Sequence, residues 1–228
     1  MNEPNAQYNL AKAGSLSVRI ATRVRTQMFA AFMDEFSPNP QDTVLDVGVT
    51  SDQTYSSSNY FEALYPFKDK ITAAGVDDAR FLEDLYPGMR FVRADALDLP
   101  FPDQSFDLVH ASAVLEHVGS LANQARMVAE SLRVARRGVC LTTPNRWFPV
   151  EFHTQLPLVH WLPKPWCRTL FRATGYGFFA EEANLNLMTE LEVRAIMAGH
   201  NGWRFRFAPT KLLGWPSNIV LMTQRNDS

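Results

Sequence analysis

Between Ala94 and Val109 an acidic loop, a tight turn and a buried strand follow one another in the order Ala94-Asp95-Ala96-Leu97-Asp98-Leu99-Pro100-Phe101-Pro102-Asp103-Gln104-Ser105-Phe106-Asp107-Leu108-Val109. The strand that closes this stretch is a short apolar run without alternation. Val44-Leu45-Asp46-Val47, Ile71 to Val76, Phe91 to Arg93 and Val139 to Thr142 have the same character. A strand with no regular polar face is one covered by helices on both sides, as in a parallel sheet. Helical patterning fills an interval between them: Leu121, Ala125, Val128 and Leu132 form an apolar stripe leading to Arg136, Arg137 and Gly138. Cations suit the carbonyl end of a helix and glycine suits a left-handed cap, so that helix is expected to stop at Gly138. Strands alternating with helices predict a doubly wound α/β sheet that binds ligands at the carboxyl ends of its strands.

Ahead of the first strand, Leu16, Ile20, Val24, Met28 and Phe32 recur at near-helical spacing, with Arg19, Arg23 and Arg25 largely off that line. This is the pattern of an amphipathic helix, closed by Pro38 and Pro40. It packs on the sheet edge or, in a sharper reading, also covers the ligand. Asn59 with Glu62 has the spacing of a capping box. From Pro144 to Gly177 the composition turns to prolines and aromatics, among them Trp147, Phe148, Trp161, Trp166 and Phe171. That segment is too long for a turn and too apolar for a disordered linker, and is expected to form a lid of short helices. Leu187 to Ala198 reads as the last helix, opened by Thr189, and Trp203 to Phe207 and Asn218 to Thr223 as two final strands.

Composition narrows the partners. With 228 residues, 46% hydrophobic, the chain can bury a substantial core. A net charge of −2 argues against a phosphate-binding face, so no nucleic acid is expected and a small or neutral partner fits better. Cys140 and Cys167 show no ligand spacing and read as buried, reduced thiols. Met1 to Ala13 lacks the order of a signal peptide, and no run of about 18 apolar residues occurs, so a cytoplasmic chain with no membrane partner is expected.

Three strand ends offer polar groups to one edge: Asp46-Val47-Gly48, then Asp77-Asp78, then Asp95-Ala96. Together these segments resemble the Rossmann-like (class I) methyltransferases that use S-adenosylmethionine (SAM), in particular the type 11 small-molecule group, over roughly Asp42 to Arg225. The resemblance implies a mostly parallel seven-stranded sheet with an antiparallel last strand, an N-terminal helix, and a helical lid after the fifth strand. It divides a single domain into a helical cap (1–41), a cofactor-binding core (42–143), a lid and acceptor region (144–186) and a C-terminal helix with the last two strands (187–228). It further implies SAM as cofactor. Asp46 would organise the loop around the methionine end, Gly48 would let the backbone approach, Asp77 would take the ribose diol, and Asp95 with Ala96 would clamp adenine. The family's Asp-x-Gly-x-Gly-x-Gly becomes Asp46-Val47-Gly48-Val49-Thr50-Ser51-Asp52, without two of its glycines. Either the Thr50 and Ser51 hydroxyls replace backbone contacts to the methionine carboxylate, or cofactor affinity is weakened or lost. A nicotinamide-binding domain would need Gly-x-Gly-x-x-Gly, which is absent.

Methyl transfer is an in-line displacement at a good leaving group, so alignment contributes much of the acceleration, about 7–11 kcal/mol. A base completes it, and histidine is the usual supplier. His153, just beyond the fifth strand, is the expected base for an oxygen acceptor, with Glu151 orienting it and His110, at the end of the fourth strand, as a further candidate. Glu116 and His117, in a segment that resembles the family's, together with Asn145 and Trp147, are expected to shape the site of a small-molecule acceptor. His160 reads as a packed lid residue and His200 has no role. Glu151, His153 and His160 could be drawn as metal ligands, but no His-x-x-x-His helix or cysteine cluster supports this, and no metal is expected. Two other readings stay open: a noncatalytic SAM- or nucleoside-binding module, and a scaffold subunit whose Trp-rich lid is a protein interface.

Overall fold

The computed structural model describes residues 15–53 and 58–226, so the leader Met1 to Ala13 and part of the loop before Asn59 lie outside the described residues. Seven strands form one sheet: β1 (Val44–Val47), β2 (Ile71–Gly75), β3 (Arg90–Arg93), β4 (Phe106–Ser112), β5 (Ala135–Pro144), β6 (Trp203–Leu212) and β7 (Trp215–Arg225). Their spatial order is β3-β2-β1-β4-β5-β7-β6. Strands β1 to β5 pair in parallel, and β7 is antiparallel to both β5 and β6. The order reverses between β1 and β4, which opens a crevice there at the strands' carboxyl ends.

Helices cover both faces. Against one lie α1 (Leu16–Phe36), α2 (Tyr60–Leu64) and α3 (Phe81–Leu85), whose Val24, Met28, Phe32, Phe36, Phe61 and Leu82 pack on Val44, Ile71, Leu108 and Val220. Against the other lie α4 (Leu121–Val134) and α6 (Glu190–Met197), with Met127, Val128, Leu132, Val193 and Met197 packed on Leu45, Val109 and Leu141. Burying each such side chain contributes roughly 1.5–3 kcal/mol. Ser15 caps α1 by accepting from Val18 N. Thr189 opens α6 with a capping box to Glu192. The lid holds a small core of its own, with Cys167 and Phe171 of α5 (Lys164–Ala173) packed on Phe179 and Leu185.

Three local expectations are corrected. First, α4 stops at Val134, and Ala135 to Gly138 already belong to β5. Arg136 pairs with Asp107, and Arg137 with Asp42, across the sheet. A Cβ on Gly138 would come within 2.3 Å of Phe36 Cε1, so that glycine makes room for α1 and does not cap a helix. Second, Asn59 makes no cap hydrogen bond and Glu62 is wholly buried. The Asn59 amide instead joins the ends of the loop, accepting from Thr50 N and donating to Thr50 O, both at 3.0 Å. Third, the last two strands are longer than expected. Leu213 and Gly214 link them with φ of 51° and 83°, the positive-φ pair of a type I′ hairpin turn.

Candidate active site

The crevice at the β1/β4 reversal opens into a cavity of about 1080 Å³. Ligand pockets span roughly 300–1,000 Å³, so this one lies at the large end of that range. One half is built by strand ends: Gly48, Val49 and Thr50 after β1, Gly75 and Val76 at β2, and Asp95, Ala96 and Leu97 after β3. Gly48 is required here, because its φ is +95° and a Cβ would lie 2.1 Å from Val114 Cγ2. Asp95 turns its own loop by accepting from Leu97 N at 2.9 Å. Asp77 follows Val76 and does not itself line the cavity, but its Oδ2 is buried with no hydrogen-bonding partner among the described residues. Thr50 lines the cavity and its hydroxyl accepts from Asp52 N, whereas Ser51 does not line it. The face of α1 bearing Ile20, Val24 and Met28 closes this half from above the sheet edge.

Asp46 and His110 lie elsewhere. Neighbouring residues of a strand face opposite sides of the sheet, so Asp46 points under the α1 layer while Val47 and Gly48 reach the cavity. Cross-strand register sets Asp46 beside His110, and their side chains are hydrogen-bonded through Oδ1 and Nδ1. The other ring nitrogen meets Tyr60 Oη at 3.2 Å, and Phe61 stacks on the imidazole at 4.3 Å. Burial pushes Asp46 up to about 7 and holds His110 down at about 4. His110 is therefore removed from the candidates for catalysis, and Asp46 acts by anchoring α2. Asn145 and Trp147 are likewise outside the cavity wall. Asn145 spans to Pro216 O and accepts from Trp147 N, while Trp147 meets Trp161 and Arg146 at the surface.

The other half of the cavity carries a titratable array. Ala113, at φ 57°, turns the chain out of β4 with its N–H bonded to Thr142 O, and the single turn Leu115–His117 then presents Glu116 and His117. Gln124 Nε2 donates to Leu115 O and Asn186 O, and Asn186 N donates to Glu116 O, which pins this turn against the end of the lid. From the lid come Glu151 and His153. The Glu151 Oε1 atom accepts from His153 N at 2.9 Å and from its Nδ1 at 2.7 Å. The Nε2 atoms of His153 and His117 are 3.2 Å apart, and His117 Nδ1 donates to Asn184 O at 2.7 Å. Glu116 Oε2 accepts from Thr143 Oγ1 at 2.8 Å, while its buried Oε1 has no hydrogen-bonding partner among the described residues and lies 3.9 Å from His117 Nε2.

The charges follow from this packing. Burial opposes charge on both Glu151 and His153, yet each holds the other charged: Glu151 stays down at about 2 and His153 is raised. Burial and the neighbouring His153 charge hold His117 down at about 3. Burial brings Glu116 up to about 7 against the pull of His153. The His153–His117 contact joins residues 36 apart in sequence, and no local pattern announces it. His160 is not part of the array; its Nε2 meets Phe148 O at 2.6 Å.

Sheet order, the single antiparallel strand β7 and a ligand crevice at the β1/β4 reversal define the Rossmann-like (class I) methyltransferase fold. Residues 58–142 match the family model described as a methyltransferase domain. Over 139 residues the chain is 29% identical to the chloroplastic tocopherol O-methyltransferase of Arabidopsis thaliana, a match that covers 60% of this chain and only 39% of that relative. The crystal structure of magnesium protoporphyrin IX methyltransferase from Synechocystis with bound SAH superposes with a TM-score of 0.60 at 16% identity, covering 97% of this chain and 92% of that one. A Burkholderia thailandensis 1,6-didemethyltoxoflavin N1-methyltransferase superposes with a TM-score of 0.58 at 13% identity, covering 92% and 81%. No helix of the described residues is long and apolar enough to cross a membrane.

Proposed function

We propose that this chain is a SAM-dependent methyltransferase acting on an oxygen atom of a small molecule. The observation that carries the reading is one continuous cavity with the strand-end groups in one half and the Glu116–His117–His153–Glu151 array in the other. The residues fit the cofactor. Asp95 and Ala96 face the space for adenine, Gly48 and Thr50 border the space for the methionine end, and Asp77, next to the cavity-lining Val76, has a buried oxygen without a hydrogen-bonding partner among the described residues that a ribose diol would engage once the side chain turns toward the cavity. SAM would supply the methyl group on a sulfonium. This chain's own part is to set the acceptor oxygen in line with that methyl and to receive its proton.

The array divides that work. Glu116 Oε1, without a hydrogen-bonding partner among the described residues, would accept the proton, and His153, held by Glu151, would supply the positive charge that steadies the oxygen as it becomes anionic. The role expected of His153 as base thus passes to Glu116, and Glu151 keeps its orienting role. Names of the relatives support a small-molecule acceptor, since tocopherol, magnesium protoporphyrin IX and 1,6-didemethyltoxoflavin are none of them macromolecules. Losing a preorganised charge costs about 10²–10³-fold in kcat. His153→Ala is therefore expected to lower turnover by that factor while SAM affinity by calorimetry stays near wild type. Turnover within a few-fold of wild type would remove the array from the reaction.

A further inference from the structure

Two imidazoles of the array face each other through the wrong atoms for a neutral pair. His117 Nδ1 points at the Asn184 carbonyl and His153 Nδ1 at the Glu151 carboxylate, each at 2.7 Å, and both partners only accept. Both Nδ1 atoms must therefore carry a hydrogen, and in neutral rings that leaves a lone pair on each Nε2. Those two nitrogens are 3.2 Å apart. Like lone pairs at that distance repel, so a positive centre must sit between or beside them. A proton on His153 is one answer. The geometry holds a second.

We propose that Glu116, His117 and His153 form a binding site for one divalent transition-metal cation of the zinc class. In a tetrahedral zinc site with Zn–N of about 2.0–2.1 Å, two imidazole nitrogens lie about 3.3 Å apart. The observed separation matches this. The third ligand atom is the buried Glu116 Oε1, which makes no hydrogen bond among the described residues and lies 3.9 Å from His117 Nε2, and the three residues each bring a ligand atom within 4.8 Å of the other two. Its partner oxygen is already fixed by Thr143, so a small turn of one carboxylate completes the set. Both histidines have the outer partner that metal-binding imidazoles usually have: a carboxylate behind one ring and a backbone carbonyl behind the other, each fixing the tautomer that presents Nε2. Two histidines and one glutamate leave a fourth position, which here faces the cavity. Under the methyltransferase reading, that position would take the acceptor oxygen, and the cation would supply the positive charge that His153 supplies without it; with Glu116 Oε1 held as a ligand, the acceptor's proton, made more acidic by the cation, would leave to water at the cavity mouth and not to Glu116.

The test is calorimetric titration of zinc chloride, and of cobalt chloride as an optical probe, into the chain after dialysis against EDTA. No SAM or acceptor is present, so a failure here is separate from a failure of SAM binding, which is measured on its own. One equivalent of zinc per chain is expected, with cobalt giving the intense visible absorption of a four-coordinate nitrogen and oxygen site. His117→Gln/His153→Gln should abolish the binding, His200→Gln should leave it unchanged, and Glu151→Gln should weaken it about 10–100-fold through the ring it positions. Binding of less than one equivalent to the wild-type chain overturns the proposal with no variant needed. So does one equivalent that persists in a double variant shown to be folded by far-ultraviolet circular dichroism. If the double variant does not fold, Glu116→Gln decides: unchanged zinc affinity and an unchanged cobalt spectrum would overturn the proposal.

Discussion

Replacing Glu62 with glutamine should raise stability relative to wild type as the pH climbs toward neutral. Glu62 is wholly buried, and its carboxyl group lies against the Asp46 carboxyl. Burial first, and the charge of Asp46 second, raise its pKa well above the ordinary 4.5. The folded chain therefore keeps a proton that the unfolded chain releases. For an acid with a raised folded pKa, stability is fully present below the unfolded pKa and is lost as pH rises toward the folded one. One such group costs about 1.4 kcal/mol per pH unit once the unfolded carboxyl is ionised. Glutamine has no proton to hold, so between about pH 5 and pH 7 the stability difference, variant minus wild type, should grow by about 2–3 kcal/mol. Urea melts at the two pH values measure this, and the value near pH 5 absorbs any packing difference between the side chains. Curves that stay parallel across that window would show that Glu62 is ionised in the folded protein and that the argument from burial is wrong.

Two further outcomes are expected. Asp77→Ala should weaken SAM binding by about 1.5–3 kcal/mol, read by calorimetry on the folded variant, because a charged acceptor for the ribose diol is lost; unchanged affinity would take Asp77 out of the cofactor half. Gly48→Ala should destabilise the fold by about 1–3 kcal/mol from its positive φ alone, with more from the Val114 clash; adding Val114→Ala should recover the clash part only, and full recovery in the double variant would show that the backbone conformation carries no cost.

The sheet was legible because each parallel strand is a compact apolar run, and the interior of a three-layer fold leaves little freedom in how such runs are covered. Boundaries were less legible. Arg136, Arg137 and Gly138 have the residue types of a helix end, yet each is taken by a partner far away in sequence, Asp107, Asp42 and Phe36. Asp46 and His110 were misread because a strand's two faces are set by parity, and at β1 that parity turns the acid away from the crevice that the neighbouring glycine enters. The pairing of Glu151 with His153 could be anticipated from their spacing. Their meeting with Glu116 and His117 could not, since it depends on Asn186 and Gln124 tying the lid's far end back to the turn after β4.

The cavity's roof joins the two ends of the chain. Ile20 and Val24 of α1 and the Leu212–Leu213 tip of the β6–β7 hairpin all line it, and α1 is tied to the same hairpin where Arg206 and Gln224 meet Glu35. The strand-end half of the pocket comes from residues 48–97, whereas its roof needs the first helix and the last hairpin to meet across the sheet. Any molecule that needs the closed cavity thus reports on whether α1 and the hairpin are docked together.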